Sequence, residues 1–302
     1  MATIGAAVDP VASGDALARA RLRASLVPDL LVDARRVVNT VIAGWHGRRR
    51  RGIGENFWQF RPYVDGEAIA RIDWRRSARD DHTYVRDREW EAAHTVWLWA
   101  DCSPSMLYAS RGASVSKQSR ALVLVLALAE LLSRSGERIG WPGLTDAFAA
   151  RNGAERIAAV IAQSRTIPQR PELAAIRRFS DLVMVSDFLD PVEETIAMLE
   201  PLAGRGVRAH LIETADPAEE SFPYSGRTEF RDPETGERLT AGRAETLADD
   251  YRRLYAARRT ELSAWCRKRG WSYTVNHTDR LASEALVSVH TAMAAETGIG
   301  GR

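Results

Sequence analysis

The sequence predicts an α/β fold, in which a mostly parallel sheet is covered by helices on both faces and follows an N-terminal helical and mixed region. Two observations lead to this prediction. From residue 93 to residue 302, short apolar runs of strand length alternate with longer runs of helical length. Strands separated by helices pair in parallel and are buried on both faces. Residues 1–92 lack this alternation, so the domain boundary is predicted after residue 92.

The first predicted elements are helical. Apolar positions recur at helical spacing over residues 15–45, where Pro28 is expected to separate two helices. The segment 57–92 is dense in Arg, Asp, Glu and Trp and predicts short strands and turns. The run HTVWLWA at 94–100 is apolar and β-rich, and has the length of a strand. It is followed by a predicted helix at 117–136 that ends at a glycine.

The rest of the chain continues the alternation. Strands are predicted within 137–143, 180–190, 207–213 and 271–276, and helices near 153–164, 191–206, 243–269 and 281–295. Turn signals such as Asp232-Pro233 and Thr235-Gly236 predict a hairpin insertion near 216–242. We therefore expect an α/β domain over 93–302 that carries one hairpin excursion.

Composition excludes several classes of protein. The formal net charge of +2 argues against a dedicated nucleic-acid binder. The longest apolar run, 121–132, is too short to span a bilayer. Because the N-terminus lacks a secretory signal, a cytoplasmic location is expected. Only two of the 42 basic residues are lysines, Lys117 and Lys268, and we interpret this bias as genome composition.

Oxygen-bearing side chains follow two of the predicted strands. Asp101, Ser103 and Ser105 alternate after the first strand, and Asp187 follows the strand LVMVS. Because ligands of parallel sheets bind at the carboxyl ends of the strands, these side chains are expected to face one crevice. Carboxylates and hydroxyls form an oxygen-only ligand set, which suits Mg²⁺. The alternative interpretation is that Asp101 or Ser103 caps a helix or closes an Asx-turn.

The segment DCSPSM resembles the DxSxS motif of von Willebrand factor A domains, which have a Rossmann-type fold. In the metal-ion-dependent adhesion site of those domains, the motif acts with a threonine from a later loop and an aspartate after another strand. The resemblance implies the metal ligands Asp101, Ser103, Ser105 and Asp187. For the threonine, the loop SRTIPQRPEL offers Thr166, and Pro171 or a neighbour is the alternative occupant of that position.

The upstream segment FRPYVDGEAIARIDWRRSAR, residues 60–79, resembles the signature RxYxxGD followed by IDWxxSAR of domain-of-unknown-function family fifty-eight (DUF58). Glu67 stands where that family usually has Asp. The resemblance implies an accessory protein that acts with a MoxR-type AAA+ ATPase in chaperone-like maturation or assembly, and it implies no enzymatic activity.

The most distinctive cluster of the chain lies in that segment and consists of Arg61, Tyr63, Asp73, Trp74, Ser77 and Arg79. The favoured interpretation is structural, with Arg61 or Arg79 pairing Asp73 and with Trp74 buried. The alternative is a docking surface, for which Arg and Trp are common anchors.

These patterns predict a non-enzymatic module that binds a protein partner, with Mg²⁺ at the DxSxS loop. The sequence contains no GxSxG, HExxH, P-loop or GxGxxG motif. A metal-dependent hydrolase using Asp101 and Asp187 is the first alternative. The second is an anion or nucleic-acid binder that uses Arg48 to Arg51, a run that is more often a solvated linker.

Overall fold

A computed structural model of the chain describes residues 14–46, 59–64, 72–79, 82–87 and 94–297. The helices are α1 (Gly14–His46), α2 (Trp74–Ser77), α3 (Lys117–Arg134), α4 (Gly153–Gln163), α5 (Val192–Gly204), α6 (Pro217–Ser221), α7 (Ala248–Lys268) and α8 (Ala282–Thr297). The strands are β1 (Gln59–Pro62), β2 (Tyr84–Asp87), β3 (Thr95–Ala100), β4 (Arg138–Gly140), β5 (Ser180–Ser186), β6 (Arg208–Ala215), β7 (Thr228–Arg231), β8 (Arg238–Ala241) and β9 (Ser272–His277).

A five-stranded sheet forms the centre of the larger unit of the chain. Its strand order is β4-β3-β5-β6-β9, and every neighbouring pair is parallel. Strand β5 is buried along its whole length, as expected for a central strand covered on both faces. The predicted α/β fold with a parallel sheet is therefore confirmed.

Helices cover both faces of this sheet. Helix α3 contacts α4, α8 and the strands β3, β4 and β5, while α5 and α7 contact each other. Helix α3 contains the sequence ALVLVLALAELL and is buried on nearly every side, because it lies between the sheet and its neighbouring helices. It begins at the N-cap Ser116, whose hydroxyl accepts a hydrogen bond from the Ser119 amide at 3.2 Å.

Helix α1 differs from its prediction, because it continues through Pro28 as one helix. A proline inside a helix removes one backbone hydrogen bond, but burial of one apolar face offsets that loss. The buried positions of this face are Val27, Leu30, Ala34, Val38 and Val41, and all of them belong to the main hydrophobic core. Helix α1 is thus held by packing.

The chain divides differently from the predicted boundary at residue 92. One unit comprises Met1–Gly44 and His94–Arg302, and the other comprises Trp45–Ala93. The physical reason is the apolar face of α1, which is part of the core of the α/β unit. The segment between α1 and β3 forms the second unit.

The second unit contains a two-stranded antiparallel sheet of β1 and β2, with α2 between them in sequence. Asp73 is the N-cap of α2, and its carboxylate accepts a hydrogen bond from the Arg76 amide at 3.0 Å. The Ser77 hydroxyl accepts from the Tyr84 amide at 2.8 Å and so connects α2 to β2. The expected burial of Trp74 is wrong, since 64% of this residue is exposed. Trp74 is the first residue of a single-turn helix, and none of the residues of this helix is buried.

The predicted hairpin insertion consists of β7 and β8, which pair antiparallel. Its base contains a small hydrophobic cluster, separate from the main core, which we call the aromatic cluster. Its members are Phe222, Tyr224, Phe230, Ala241, Ala244, Ala248 and Tyr251. The rings of Phe222 and Phe230 stack with centroids 5.6 Å apart. In the parts of the chain that are described, no helix has the length and apolar character needed to cross a bilayer.

Candidate functional site

A crevice of about 570 Å³ lies at the carboxyl edge of the parallel sheet. Residues Ala100 of β3 and Val185 of β5 are register partners, so both strands end at the same edge. The amide of Asp101 donates to the Val185 carbonyl at 2.8 Å and extends this pairing by one residue. Asp101 and Asp187 therefore enter the crevice side by side, as expected where parallel strands end.

The DxSxS loop is folded by its own side chains. Asp101 Oδ1 accepts a hydrogen bond from the Ser103 amide at 2.8 Å, and Asp101 Oδ2 accepts from the Ser186 hydroxyl at 2.8 Å. The hydroxyls of Ser103 and Ser105 lie 3.0 Å apart. Pro104 begins a short 3₁₀ helix whose Met106 is fully buried, which anchors the loop to the core. Asp101 thus closes an Asx-turn, and the hydroxyl oxygens of Ser103 and Ser105 also lie close together in the same loop.

A buried lysine reaches into the same crevice. Lys117 is the first residue of α3 and is 0% exposed. Its ammonium donates to Asp187 Oδ2 at 2.8 Å and to Glu219 Oε1 at 2.5 Å. Although burial alone would lower it, the two carboxylates hold the pKa of Lys117 above its usual range. Lys117 is therefore a permanent cation beside Asp187.

Asp187 is an ionised partner of this lysine. Burial raises the pKa of Asp187, but the charge and hydrogen bond of Lys117 outweigh burial, so the pKa lies below its usual range. The second carboxylate oxygen, Oδ1, accepts from the Leu189 amide at 3.2 Å. Both oxygens of Asp187 are thus occupied.

Asp101 has the opposite electrostatic character. Burial, together with the negative charge of Asp187, raises the pKa of Asp101 from its ordinary value to about 6. The folded protein binds this proton more tightly than the unfolded chain does. The stabilisation is therefore fully present below the ordinary pKa of aspartate and is lost as the pH rises through about 6.

We expect Asp101→Asn to stabilise the metal-free protein at pH 7.5 by about 1–3 kcal/mol, because the substitution removes an uncompensated buried charge. Urea unfolding in EDTA at pH 7.5 and at pH 4 measures this difference, which should shrink at the lower pH. A variant that is less stable than the wild type at pH 7.5 would contradict the raised pKa of the Asp101 carboxyl.

The tip of the hairpin closes one side of the crevice. Glu234 Oε1 accepts a hydrogen bond from the Ser105 backbone amide at 2.9 Å, and Glu234 Oε2 accepts from the side-chain Nε2 of Gln169 at 3.5 Å. The tip is shaped by Asp232, whose carboxylate accepts from the Glu234 amide and from the Thr235 hydroxyl, both at 2.8 Å. Gly236 follows with a φ of 77°, a conformation that favours glycine.

The crevice brings together four of the five predicted metal ligands: Asp101, Ser103, Ser105 and Asp187. Thr166 does not join them, since it is exposed and is not part of the crevice lining. The same loop lines the crevice farther along, at Gln169, Arg170 and Pro171. The alternative that Pro171 or a neighbour takes the threonine position thus agrees with the loop geometry.

The predicted docking cluster belongs to the second unit. Arg61 lies in β1, and Tyr63 is the first residue after this strand. Asp73 caps α2. The side chains of Trp74 and Arg79 are exposed. The capping role of Asp73 supports the structural interpretation for that residue. The exposure of Trp74 is the feature that a docking surface requires. Arg48 to Arg51 and Glu67 lie outside the described residues.

Sequence reasoning missed several residues of the crevice, among them Lys117, Glu219 and Glu234. A signal for Lys117 was present, because it is one of only two lysines in a chain that otherwise uses arginine. A guanidinium is too large and too planar for a pocket built around one ammonium. For Glu219 and Glu234 the sequence offered only the predicted hairpin region, without its position relative to the loop.

Comparisons with known proteins place the chain in a family. The family described as "Protein of unknown function DUF58" matches residues 59–261. The chain belongs to this DUF58 family. Uncharacterized proteins of Mycobacterium tuberculosis and Mycobacterium bovis are 28% identical to it over 280 residues, which cover 85% of this chain and 85% of each relative. The resemblance inferred from the segment 60–79 is thereby confirmed.

Solved structures of other bacterial proteins are similar to this DUF58 chain. An aerotolerance-related membrane protein from Bacteroides fragilis is 14% identical with a TM-score of 0.40, and BatB from Bacteroides thetaiotaomicron is 14% identical with a TM-score of 0.39. Each match covers 67% of this chain and 100% of the other. An uncharacterized membrane spanning protein from Vibrio fischeri is 15% identical, with a TM-score of 0.18 over 67% of this chain and 97% of the other.

The predicted cytoplasmic location is contradicted by the descriptions of these solved structures, two of which are called membrane proteins. The prediction depended on the lack of a secretory signal at the N-terminus. Such a signal is only one of the ways in which a protein reaches a membrane.

Proposed function

We propose that this DUF58 protein is a non-enzymatic interaction module that binds a protein partner at the crevice through Mg²⁺. In this proposal, Ser103, Ser105 and Asp101 hold the ion, and an acidic side chain of the partner completes its coordination. The expected partner is a MoxR-type AAA+ ATPase, for which the family resemblance is the basis. The expectation that the module is not an enzyme rests on the same resemblance and on the absence of catalytic motifs in the sequence.

The spacing of the two serine hydroxyls is the observation that carries this proposal. Their oxygen atoms are 3.0 Å apart beside the Asp101 carboxylate. Two oxygens that occupy adjacent positions around one Mg²⁺, each about 2.1 Å from the ion, are about 3.0 Å apart. The loop therefore already has the spacing that a shared ion needs.

The charge of the crevice supports a cation. Seven acidic side chains line it, against only Lys117 and Arg170. The ammonium of Lys117 is engaged by Asp187 and Glu219, which leaves Asp101 without a positive partner of its own in the crevice. A divalent cation bound by neutral hydroxyls and one carboxylate keeps positive charge, and it can attract a further carboxylate.

The position of Lys117 limits the part that Asp187 can play. A carboxylate oxygen that accepts from an ammonium at 2.8 Å is a poor direct ligand for a second cation. Among the described residues, no three His, Cys, Asp or Glu side chains form a group that could hold one ion. The proposal thus depends on the hydroxyls, and Asp187 acts by orienting Lys117 and the loop.

A titration with Mn²⁺, followed by the loss of its free-ion paramagnetic resonance signal, tests the metal site. Ser103→Ala and Ser105→Ala are expected to weaken binding by about 10-fold to 100-fold, since each removes one ligand of a small set. Thr166→Ala is the matched control, because it removes a predicted ligand hydroxyl that lies outside the crevice. Equal Mn²⁺ affinity in all four proteins, or no binding in the wild type, would refute the metal site.

Capture of a co-expressed MoxR-type ATPase, with and without EDTA, tests the partner. Binding that requires the ion and both serines supports the full proposal. Binding that ignores EDTA and both substitutions would leave an interaction module without a metal. Failure of capture by the wild type in Mg²⁺ would overturn the choice of partner.

A further inference from the structure

We propose that Glu234 is a built-in competitor for the crevice, which a partner must displace with an acidic side chain of its own. The inference rests on the proposed function, because it names the ligand class and the regulation of the same site. It identifies the ligand as a short acidic segment whose carboxylate replaces that of Glu234 at the DxSxS loop.

The side chain of Glu234 contacts the DxSxS loop at Ser105. Glu234 comes from the hairpin, 129 residues farther along the chain than Ser105, and accepts from the backbone amide of Ser105 at 2.9 Å. Ser105 is also one of the two serines that carry the candidate ion. A carboxylate bound here is therefore next to the position where an acidic ligand would reach the ion.

The contact of Glu234 differs from the contact made by the buried carboxylate of Asp187. Asp187 is buried, and it pairs with an equally buried ammonium. Glu234 is exposed, and its side chain accepts one hydrogen bond from the Ser105 amide and one long hydrogen bond, 3.5 Å, from Gln169 Nε2. An exposed hydrogen bond of this kind contributes little to stability and exchanges readily with water or another ligand. Glu234 therefore suits a removable contact.

The hairpin that carries Glu234 is held in place at both its base and its tip. The hairpin is held at its base by the aromatic cluster and by the Gly226 amide, which donates to Glu245 Oε2 at 2.7 Å. The tip is held by the hydrogen bonds of Asp232. Since both parts are fixed, displacement requires only that the Glu234 side chain rotates into solvent. Release is thus a local side-chain event, and the fold does not rearrange.

The charge of the crevice determines how an acidic ligand can bind there. The strongly acidic crevice repels a free carboxylate unless a cation or a hydrogen-bond donor offsets its charge. The Ser105 amide offsets it for Glu234, and a bound divalent ion would do so more strongly. The tip sequence RDPETGER, residues 231–238, is itself an acidic turn that fits this place. A peptide of that sequence is therefore the probe of choice.

The test measures binding of the fluorescently labelled peptide RDPETGER to the full chain in Mg²⁺ and in EDTA. Glu234→Ala in the protein removes the competing acceptor and should increase peptide affinity about tenfold, because a site that is open for about one tenth of the time loses affinity by that factor. Glu237→Ala is the matched control, since it removes the same side chain from the same hairpin outside the crevice lining. A peptide with Gln in place of its first Glu should bind neither protein.

Equal affinity of the peptide for the wild type, Glu234→Ala and Glu237→Ala would overturn the inference. Absence of peptide binding to Glu234→Ala in Mg²⁺ would also overturn it, because the emptied site would then not take a carboxylate.

Amide hydrogen exchange at Ser105 separates this inference from the proposed function. In the wild type the Ser105 amide should exchange more slowly than in Glu234→Ala, which removes the acceptor, and Glu237→Ala should match the wild type. Unchanged exchange in Glu234→Ala would show that the contact does not form in solution and would refute the competitor, whatever the Mn²⁺ titration gives. Slowed exchange together with failed Mn²⁺ binding would refute the metal site and leave the Glu234 contact in place.

Discussion

Replacing Lys117 with methionine is expected to lower the free energy of unfolding by about 3–5 kcal/mol, which is typical for removal of one partner from a buried ion pair. Methionine fills nearly the same volume but carries no charge. Asp187 and Glu219 would then be left buried with no ammonium between them. The loss should shrink as the pH falls, because protonation of the two carboxyls removes the unpaired charge.

Urea unfolding at pH 7.5 and pH 5 measures this effect. Lys268→Met is the matched control, since Lys268 is the other lysine of the chain and lies exposed at the end of α7. We expect that control to change stability by less than about 0.5 kcal/mol. Lys117→Arg should also be destabilising, because a guanidinium does not fit a fully buried site built for an ammonium. A loss below about 1 kcal/mol for Lys117→Met would contradict the role of Lys117 as the resident cation of the crevice.

The sequence predicted the sheet well because each strand is a local signal. HTVWLWA and SDLVMVS are apolar runs of strand length, each followed along the chain by a helical segment, and both lie in the parallel sheet. Pro28 was misjudged because local propensity was outweighed by burial of one face of α1 in the core. Trp74 was misjudged for a related reason, because apolar character alone does not place a side chain in a core.

The site was predictable only as far as its residues are close in sequence. The DxSxS loop lies within five consecutive residues, and Asp187 follows from the rule that parallel strands end at one edge. Glu234 reaches the loop from 129 residues away, which no local pattern predicts. Lys117 was overlooked because its rarity was attributed to composition. Of the two lysines of this arginine-rich chain, Lys117 is buried and Lys268 is exposed, so only the site of Lys117 requires a small ammonium.

Replacing Glu213 with glutamine is expected to produce the second large loss, about 3–5 kcal/mol, since two arginines would lose their shared buried counterion. Glu213 is fully buried in β6, and its carboxylate accepts from Arg258 and Arg259, each at 2.9 Å. Although burial opposes it, these arginines hold the pKa of Glu213 below its usual range. Its contribution to stability is therefore present at neutral pH and is lost on acidification.

This loss should extend to the crevice, because Arg258 also holds the turn after β5. Its guanidinium donates to the carbonyl of Asp187 at 2.7 Å and to the carbonyl of Phe188. Phe188 has a φ of 49°, a left-handed conformation that costs a non-glycine residue about 1–3 kcal/mol and needs support from its surroundings. Glu213 thus positions Arg258, and Arg258 stabilises the strained residue beside Asp187.

Urea unfolding and Mn²⁺ titration of Glu213→Gln measure the two consequences separately. Glu200→Gln is the matched control, because Glu200 forms an exposed ion pair with Arg269 and should contribute less than about 1 kcal/mol. If the turn is held as described, Glu213→Gln lowers both stability and Mn²⁺ affinity, while Glu200→Gln changes neither. Equal losses in the two variants would mean that the buried position of Glu213 confers no special role. A loss of stability with unchanged Mn²⁺ affinity would mean that Phe188 keeps its conformation without the contact between Glu213 and Arg258, so that Glu213 does not act on the crevice.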